Sequence, residues 1–164
     1  MIYVTSIEAP VGHLTLAAED GAVIGLWIAG QKYFMAGVRD AVEAPAAPPF
    51  DAARRWLNAY FAEERPATPD FPLAPRGTAF QRRVWQALRE IPYGHTVTYG
   101  ELATRLGSSA RAVGSAVGRN PISILIPCHR VLGADGSLTG YAGGLENKKR
   151  LLALEGIDSS GKVW

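Results

Sequence analysis

The chain has 164 residues, of which 48% are hydrophobic, and a formal net charge of +2, which suits one ordinary globular domain or two small ones. Its single cysteine excludes an internal disulfide and a cysteine-rich zinc site. Residues 1–8 lack the basic start and long apolar stretch of a signal peptide, and no segment approaches membrane-spanning length, so we expect a soluble cytoplasmic protein with no membrane partner.

The first third of the chain alternates apolar and polar residues in short runs that turn residues separate. This pattern predicts a three-stranded antiparallel sheet with tight turns. The runs are residues 2–5, 13–17 and 22–28, and the turns are residues 10–12 and 19–21. A helix over residues 52–63, capped by Asp51, is predicted to cover the sheet because its apolar residues fall on one face.

A proline-rich segment, residues 65–75, is predicted to be an interdomain linker. It divides the chain into an N-terminal α/β domain, residues 1–76, and a C-terminal domain, residues 77–164. The first part carries a net charge of −3 and the second a net charge of +5. The basic half is a modest indication of a polyanionic partner, and a randomly solvated surface is the alternative.

Capping boxes predict the starts of two helices, at Thr78 with Gln81 and at Thr98 with Glu101. The second helix is short and leads into a glycine-containing turn at residues 107–109. A further helix follows this turn, so the sequence predicts a helix-turn-helix. We therefore predict an α+β protein: a three-stranded sheet with a covering helix, followed by a mainly helical C-terminal domain.

The second helix of this motif, residues 110–119, is unusual because Gly114 and Gly118 lie within it. Each interior glycine costs roughly 1 kcal/mol relative to alanine, so a close approach should compensate. Two explanations stay open: tight packing inside the protein, or a smooth helix that lies in a nucleic-acid groove with Arg111 projecting.

Cys128 lies between Pro127 and His129. An apolar run at residues 122–126 leads to it, and Asn120-Pro121 immediately precede this run. A thiolate is a strong nucleophile, and a neighbouring imidazole or positive charge, here His129 or Arg130, can lower the pKa of a thiol. A buried, inert cysteine is an equally good interpretation of the residue alone. Adjacent residues of a strand point to opposite faces, so Cys128 and His129 can meet only where the strand geometry is broken.

Five short blocks follow one another in the second half: Tyr99-Gly100-Glu101-Leu102-Ala103, Arg111-Ala112-Val113-Gly114, Gly118-Arg119-Asn120-Pro121, Pro127-Cys128-His129-Arg130-Val131 and Tyr141-Ala142-Gly143-Gly144-Leu145. In this order they resemble the O6-alkylguanine-DNA alkyltransferases, the methylated-DNA–protein-cysteine methyltransferases. The resemblance spans the whole chain and is most specific from Arg76 to Glu155. It implies a repair protein that accepts an alkyl group from O6 of guanine on its own cysteine and acts once.

The resemblance also implies the catalytic roles. Cys128 is the nucleophile, His129 is its base through a bridging water, and Glu155 orients that histidine. Asn120 is the hinge that ties the recognition helix to the active-site strand. Tyr99 places its hydroxyl near N3 of a flipped guanine and so polarises or protonates the leaving base.

For DNA binding, the resemblance implies that the recognition helix presses into the minor groove and that Arg111 fills the space left by the extruded nucleotide. The other residues expected to contact DNA are small: Ala110, Ala112, Gly114 and Ser115. The loop residues Tyr141, Ala142 and Gly143 are expected to bind the substrate base. Ala142 stands where some relatives have serine, so a backbone N–H of the loop is expected to replace the missing hydroxyl donor.

No cofactor and no metal are expected. The partner is double-stranded DNA that carries O6-alkylguanine or, more weakly, O4-alkylthymine, and we expect a monomer in solution, with cooperative binding along DNA left open. Arg130 is expected to form a structural ion pair. Two other functions are alternatives: an alkyltransferase-like protein that binds lesions without reacting, whose members replace the cysteine, and a helix-turn-helix regulator whose cysteine senses oxidants or electrophiles.

Overall fold

The N-terminal sheet begins with three antiparallel strands, β1 (Ile2–Ala9), β2 (Gly12–Glu19) and β3 (Ala22–Ile28). The structure is a computed structural model that describes residues 1–138 and 140–157. The strands confirm the predicted meander. Asp20 and Gly21 join β2 to β3 with positive φ angles of 52° and 78°, as a two-residue hairpin turn requires. A two-residue strand, β4 (Val42–Glu43), pairs parallel to β1 and gives the order β3-β2-β1-β4. The sequence pattern did not predict β4, which is too short to show alternation.

Two segments border the outer edge of β3, and the second of them corrects an expectation. The backbone N–H of Val23 donates to the carbonyl of Pro72 over 3.0 Å, so the segment predicted as a linker is part of this unit. The N–H of Leu26 donates to Pro121 O over 2.9 Å, and the N–H of Ser123 donates to Leu26 O over 3.0 Å. Ile124 has a φ of 71°, so the apolar run before Cys128 is a series of turns with one bridge to β3 and is not a strand.

Helix α1 (Phe50–Phe61) packs against β1. The helix is confirmed, but its predicted cap is wrong. Pro49 occupies the N-cap position without a side-chain cap, and Asp51 lies inside the first turn. There its carboxylate forms an ion pair with Arg55 one turn later and interacts favourably with the positive end of the helix dipole.

Among the described residues of the second half are four α-helices: α2 (Ala79–Arg89), α3 (Tyr99–Leu106), α4 (Ala110–Gly118) and α5 (Leu145–Leu154). Both predicted capping boxes are present, with Thr78 and Thr98 as the N-caps of α2 and α3. Gly107 ends α3 in the left-handed conformation, and Ser109 caps α4, so α3 and α4 form the predicted helix-turn-helix.

One side-chain hydrogen bond and one short strand pair connect the elements of the second half. Trp85 of α2 donates its indole N–H to the carbonyl of Ala116 in α4 over 2.8 Å, in the interior. Strand β5 (Val97–Thr98) pairs parallel to β6 (Val131–Leu132). Because β5 leads directly into α3 and β6 directly follows a 3-10 turn over Cys128–Arg130, this short ladder ties the start of α3 to the cysteine segment.

The chain forms two compact units. The first contains Met1–Arg76 together with Pro121–Leu125, and the second contains Gly77–Asn120 and the chain from Ile126 onward. Residues 121–125 thus belong to the first unit, whereas the sequence division at residue 76 assigned them to the C-terminal domain. Within the part of the chain that the structure describes, no helix has the length and apolar character needed to cross a membrane.

The cap of α3 can be tested directly. Thr98→Ala removes the side-chain acceptor of the Glu101 N–H and should lower the free energy of unfolding by about 1 kcal/mol. Thr104→Ala, at an exposed position inside the same helix, should be neutral or slightly stabilising because alanine has the higher helix propensity. Urea unfolding of both variants measures the difference, and equal stabilities would contradict the capping role.

Candidate active site

Cys128 begins the 3-10 turn that also contains His129 and Arg130. Pro127 precedes it with φ −80° and ψ 64°, which breaks the alternation that a strand would impose. The cysteine side chain is 3% exposed and His129 is fully buried. The geometric obstacle to a cysteine–histidine pair is thus removed by the turn.

A single carboxylate, that of Glu155 at the end of α5, organises the charged groups of the site. Its Oε2 lies 2.6 Å from Nε2 of His129. Arg130 donates from Nε to Oε1 over 2.8 Å and from Nη2 to Oε2 over 3.1 Å, and the backbone N–H of Gly94 donates to Oε1 over 2.9 Å. Arg130 also donates from Nη1 to the carbonyl of Ile91 over 2.7 Å. The expected ion pair of Arg130 is therefore present, and both oxygens of Glu155 are engaged.

The protonation states of this cluster follow from its contacts. Burial alone would raise the pKa of Glu155, but the hydrogen bonds and charges of His129 and Arg130 outweigh it and lower that pKa to about 2. Burial lowers the pKa of His129 despite the hydrogen bond and negative charge of Glu155, and the positive charges of Arg130 and Lys148 reinforce the decrease. At neutral pH the carboxylate is therefore ionised and the imidazole neutral. A neutral imidazole whose Nε2–H faces a carboxylate carries its lone pair on Nδ1, the atom available to accept a proton.

The environment of the thiol differs from the expectation. Burial raises the pKa of Cys128, and the groups that oppose this increase are the side chain of Asn120, through a hydrogen bond, and the positive charge of Lys148. His129 is neutral and Arg130 is paired with Glu155, so the two neighbours in sequence do not supply the compensating charge. The resting thiol is consequently protonated at neutral pH.

Asn120 lies just after the cap of α4 and is 4% exposed. Its Nδ2 donates to the carbonyl of Ile126 over 3.0 Å, two residues before Cys128. The amide thus connects the end of α4 to the cysteine segment, and its side chain also bonds the thiol. The resemblance implies a hinge at Asn120 between α4 and an active-site strand. In the structure, the segment between α4 and Cys128 consists of turns and is not a strand.

Lys148 is the residue that the sequence-based reasoning missed. Its side chain is completely buried, and its Nζ donates to the carbonyl of Val131 over 2.6 Å. A signal was available, because Lys148 precedes Leu151, Leu152 and Glu155 at the three-, four- and seven-residue spacings of one buried helix face.

The expected DNA-contacting residues lie on one side of α4. Ala110, Arg111 and Ser115 are exposed, and Ala112 and Gly114 are half-buried. A Cβ added at Gly114 would only reach ordinary contact, 3.8 Å from the Tyr99 ring, and one added at Gly118 would meet nothing within 4 Å. Packing inside the protein therefore does not account for these glycines, which favours docking against an external surface.

The remaining expected residues surround these elements. Tyr99 is the first residue of α3 and is half-buried, with its ring facing Gly114. Tyr141, Ala142 and Gly143 are half-buried in the turn before α5. This turn is held by hydrogen bonds from the Gly144 N–H to Tyr141 O and from Asn147 Nδ2 to Gly143 O, each 2.9 Å long.

Two family models match the chain. The model described as 6-O-methylguanine DNA methyltransferase, DNA binding domain, matches residues 79–157, and the model described as 6-O-methylguanine DNA methyltransferase, ribonuclease-like domain, matches residues 2–75. A methylated-DNA–protein-cysteine methyltransferase of Mycolicibacterium paratuberculosis is 49% identical over 94% of this chain and 93% of its own length. One of Methanosarcina acetivorans is 48% identical over 94% of this chain and 99% of its own length.

Solved structures give the same result. The crystal structure of Mycobacterium tuberculosis OGT in complex with DNA superposes with a TM-score of 0.86 and 46% identity, over 93% of this chain and 92% of that one. The O6-methylguanine-DNA methyltransferase of Pyrococcus kodakaraensis superposes with a TM-score of 0.70 and 27% identity, over 96% of this chain and 100% of that one. The α+β fold is thus shared with these proteins.

The carboxylate of Glu155 should govern acid stability. With a pKa of about 2 in the folded state and 4.5 as the ordinary value, it contributes stability in full above about pH 4.5, and this contribution is lost as the pH falls toward 2. Glu155→Gln should lower the free energy of unfolding at neutral pH by about 3 kcal/mol, because it leaves Arg130 without its buried anion.

The difference between wild type and Glu155→Gln should therefore shrink as the pH is lowered through this range. Glu146→Gln, an exposed carboxylate in the first turn of the same helix, should change stability by no more than about 0.5 kcal/mol. Denaturant unfolding at several pH values measures both. A Glu155→Gln difference that stays constant down to pH 2 would contradict the assigned pKa.

Proposed function

The chain belongs to the 6-O-methylguanine DNA methyltransferase family, and we propose that it repairs duplex DNA by moving the alkyl group of O6-alkylguanine irreversibly onto its own Cys128. The relatives named above are methylated-DNA–protein-cysteine methyltransferases, and one solved relative is bound to DNA. A thioether is not hydrolysed, so each molecule acts once.

One observation carries the assignment of the acceptor. Cys128 is the only cysteine, and it begins a 3-10 turn whose next residue, His129, is fixed by the ionised Glu155. A nucleophile beside a base that a third group orients is the arrangement that activates a weak nucleophile at neutral pH. Because the thiol is protonated at rest, it requires such a base before it can attack.

The reaction is an in-line displacement at the alkyl carbon. The thiol proton passes to Nδ1 of His129 through a bridging water, and Glu155 stabilises the imidazolium that forms. The sulfur of Cys128 then bonds to the alkyl carbon as the bond from that carbon to O6 breaks, and its electron pair stays on guanine. Tyr99 donates a hydrogen bond to N3 of the departing base. The guanine then takes up a proton from solvent, and the imidazolium of His129 releases its extra proton to solvent.

The target guanine lies inside the duplex stack, so it must be extruded before the sulfur can reach it. We assign this step to α4, which docks in the minor groove with Ala110, Ala112, Gly114 and Ser115 and inserts Arg111 into the space that the base leaves. The exposed face of α4 supports this role, since its two glycines are not explained by internal packing. The degenerate pattern of the minor groove suits a protein that searches any sequence.

The flipped base is expected to rest against Tyr141, Ala142 and Gly143. Ala142 has no hydroxyl, so a backbone N–H of this loop would donate to O6. Weaker transfer from O4-alkylthymine, a monomeric state in solution and a cytoplasmic location complete the proposal. The acidic N-terminal half and the basic C-terminal half, with net charges of −3 and +5, are consistent with DNA contact by the C-terminal half.

Both rival functions are disfavoured by Cys128. An alkyltransferase-like protein that only binds lesions would have another residue in its place. A redox-sensing regulator needs an accessible thiol with a low pKa, whereas Cys128 is 3% exposed and burial raises its pKa. Sequence-specific regulation would also need base-reading side chains, and α4 exposes few.

Intact-protein mass spectrometry tests the transfer. After incubation with a duplex that contains one O6-methylguanine, wild type should gain the mass of one methylene, at most once per chain, and Cys128→Ala should gain nothing. Wild type that binds the damaged duplex tightly but keeps its mass would overturn the transferase and support the non-reactive binding protein.

The docking role of α4 predicts opposite effects of one substitution on stability and binding. Gly114→Ala should raise the free energy of unfolding by about 0.5 to 1 kcal/mol, because alanine is favoured inside a helix. The same methyl group should weaken duplex binding about tenfold, since it holds the helix away from the groove.

Gly100→Ala in α3 is the matched control, because its added Cβ would meet only the Thr98 hydroxyl, at 3.8 Å. It should change duplex affinity less than Gly114→Ala does. Fluorescence anisotropy with a labelled duplex measures both. Unchanged affinity of a stabilised Gly114→Ala would show that this face of α4 does not contact DNA.

A further inference from the structure

Gln31 is a buried polar residue in the loop that follows β3. Its side chain is 6% exposed, whereas Gly30 and Lys32 on either side of it are exposed. A buried amide costs free energy unless it is hydrogen-bonded, so its contacts show what it is used for. Its Oε1 accepts two hydrogen bonds, from the backbone N–H of Ile28 over 2.7 Å and from the hydroxyl of Ser123 over 3.2 Å. The Ile28 N–H can only donate, which places the oxygen of the amide on this side.

Ser123 has no exposure to solvent and is held at two points. Its backbone N–H donates to the carbonyl of Leu26 over 3.0 Å, and its hydroxyl donates to Gln31. The Leu26 N–H in turn donates to the carbonyl of Pro121 over 2.9 Å. The side chain of Gln31 thus adds one acceptor to the row of hydrogen bonds that fixes residues 121–123 along the edge of β3.

Ile124, the next residue, has a strained backbone. Its φ is 71°, and the Leu125 N–H donates to the carbonyl of Ser123 over 2.8 Å. A hydrogen bond across two residues with a positive φ at the central one is typical of the classic γ-turn, which is rare and strained. A β-branched residue adopts this left-handed conformation only where the surrounding structure imposes it. The two bonds of Ser123 and the complete burial of Ile124 supply that constraint.

The carbonyl of Ile126 connects this strained turn to the cysteine. It accepts hydrogen bonds from Nδ2 of Asn120 over 3.0 Å and from the backbone N–H of Cys128 over 2.8 Å. The second bond closes an inverse γ-turn at Pro127, whose φ is −80° and ψ 64°. A rotation at Ile124 would therefore move an acceptor that two residues of the site share, and with it the start of the 3-10 turn.

We propose that Gln31 is a positioning residue for alkyl transfer: by holding Ser123, it keeps Ile124 in the left-handed conformation that sets the position of Cys128. This inference rests on the proposed function and adds to it a residue outside the five motifs of the second half. Gln31 acts through Ser123 and exchanges no proton. Because a displacement of about 1 Å at the reacting atoms can slow a reaction about a hundredfold, even a small relaxation of the turn should slow the transfer.

Hydrogen exchange of backbone amides, followed by NMR without DNA, tests whether Gln31 fixes the turn. Gln31→Met removes the acceptor at a similar side-chain length, and Ser123→Ala removes only the hydroxyl. Ala53→Gly, at a buried position of α1, is the matched control for a loss of stability elsewhere in the same compact unit. Urea unfolding of each variant establishes that it is folded.

The amides of Leu125 and Cys128 donate the hydrogen bonds of the two γ-turns. In Gln31→Met and in Ser123→Ala they should exchange at least about tenfold faster relative to the amides of β2, because the turn opens locally. In Ala53→Gly this ratio should keep its wild-type value. An unchanged ratio in folded Gln31→Met would overturn the inference. If Gln31→Met does not fold, an unchanged ratio in Ser123→Ala overturns it.

Alkyl transfer to a duplex with one O6-methylguanine is measured on the same variants, at saturating duplex, together with the duplex affinity. Gln31→Met and Ser123→Ala should each slow the transfer about tenfold and leave the affinity within about twofold of wild type. The double variant should be no slower than the slower single variant, because both changes break the same contact. Additive effects, or an equal slowing in Ala53→Gly, would overturn the positioning role.

The two proposals fail in different ways. Wild type that accepts no alkyl group would overturn the proposed function, and the exchange ratios would still decide whether Gln31 fixes the cysteine segment. Wild type that accepts the alkyl group, with a transfer rate that Gln31→Met leaves unchanged, would overturn only the role of Gln31.

Discussion

One buried carboxylate holds the geometry on which the rest of the site depends. Glu155, at the end of the last helix, binds His129 at 2.6 Å and Arg130 through two hydrogen bonds, and the backbone of Gly94 supplies a further donor. An ionised side chain with no exposure to solvent is stable only when it is paired in this way. The end of α5, the turn after α2 and the 3-10 turn of Cys128 are thus fixed around a single charge.

The charges of the site keep the thiol of Cys128 in its less reactive, protonated form at rest. Burial keeps the resting thiol protonated, which protects it from oxidants that attack thiolates. We propose that the neutral imidazole of His129 takes the thiol proton when the substrate is in place, with Glu155 already positioned to stabilise the imidazolium that forms. Because both groups are held before reaction, little reorganisation is needed in the transition state.

Local signals in the sequence predicted the helix starts, the tight turn and the helix-turn-helix. The capping boxes at Thr78 and Thr98, the hairpin at Asp20–Gly21 and the helix-turn-helix all follow from neighbouring residues. The pairing of residues 121–125 with β3 and the two-residue strand β4 are long-range backbone contacts without a local pattern. The burial of Lys148 follows from its helical spacing, but its hydrogen bond to the Val131 carbonyl is a contact that only the fold creates.

The most direct test of this account is the protonation state of His129 in the unreacted protein. Heteronuclear NMR of the imidazole nitrogens at neutral pH should show a neutral ring with its proton on Nε2, facing Glu155, and an unprotonated Nδ1. This state makes His129 the acceptor of the thiol proton. A doubly protonated ring, or a proton on Nδ1, would contradict the assignment and with it the proposed activation of Cys128.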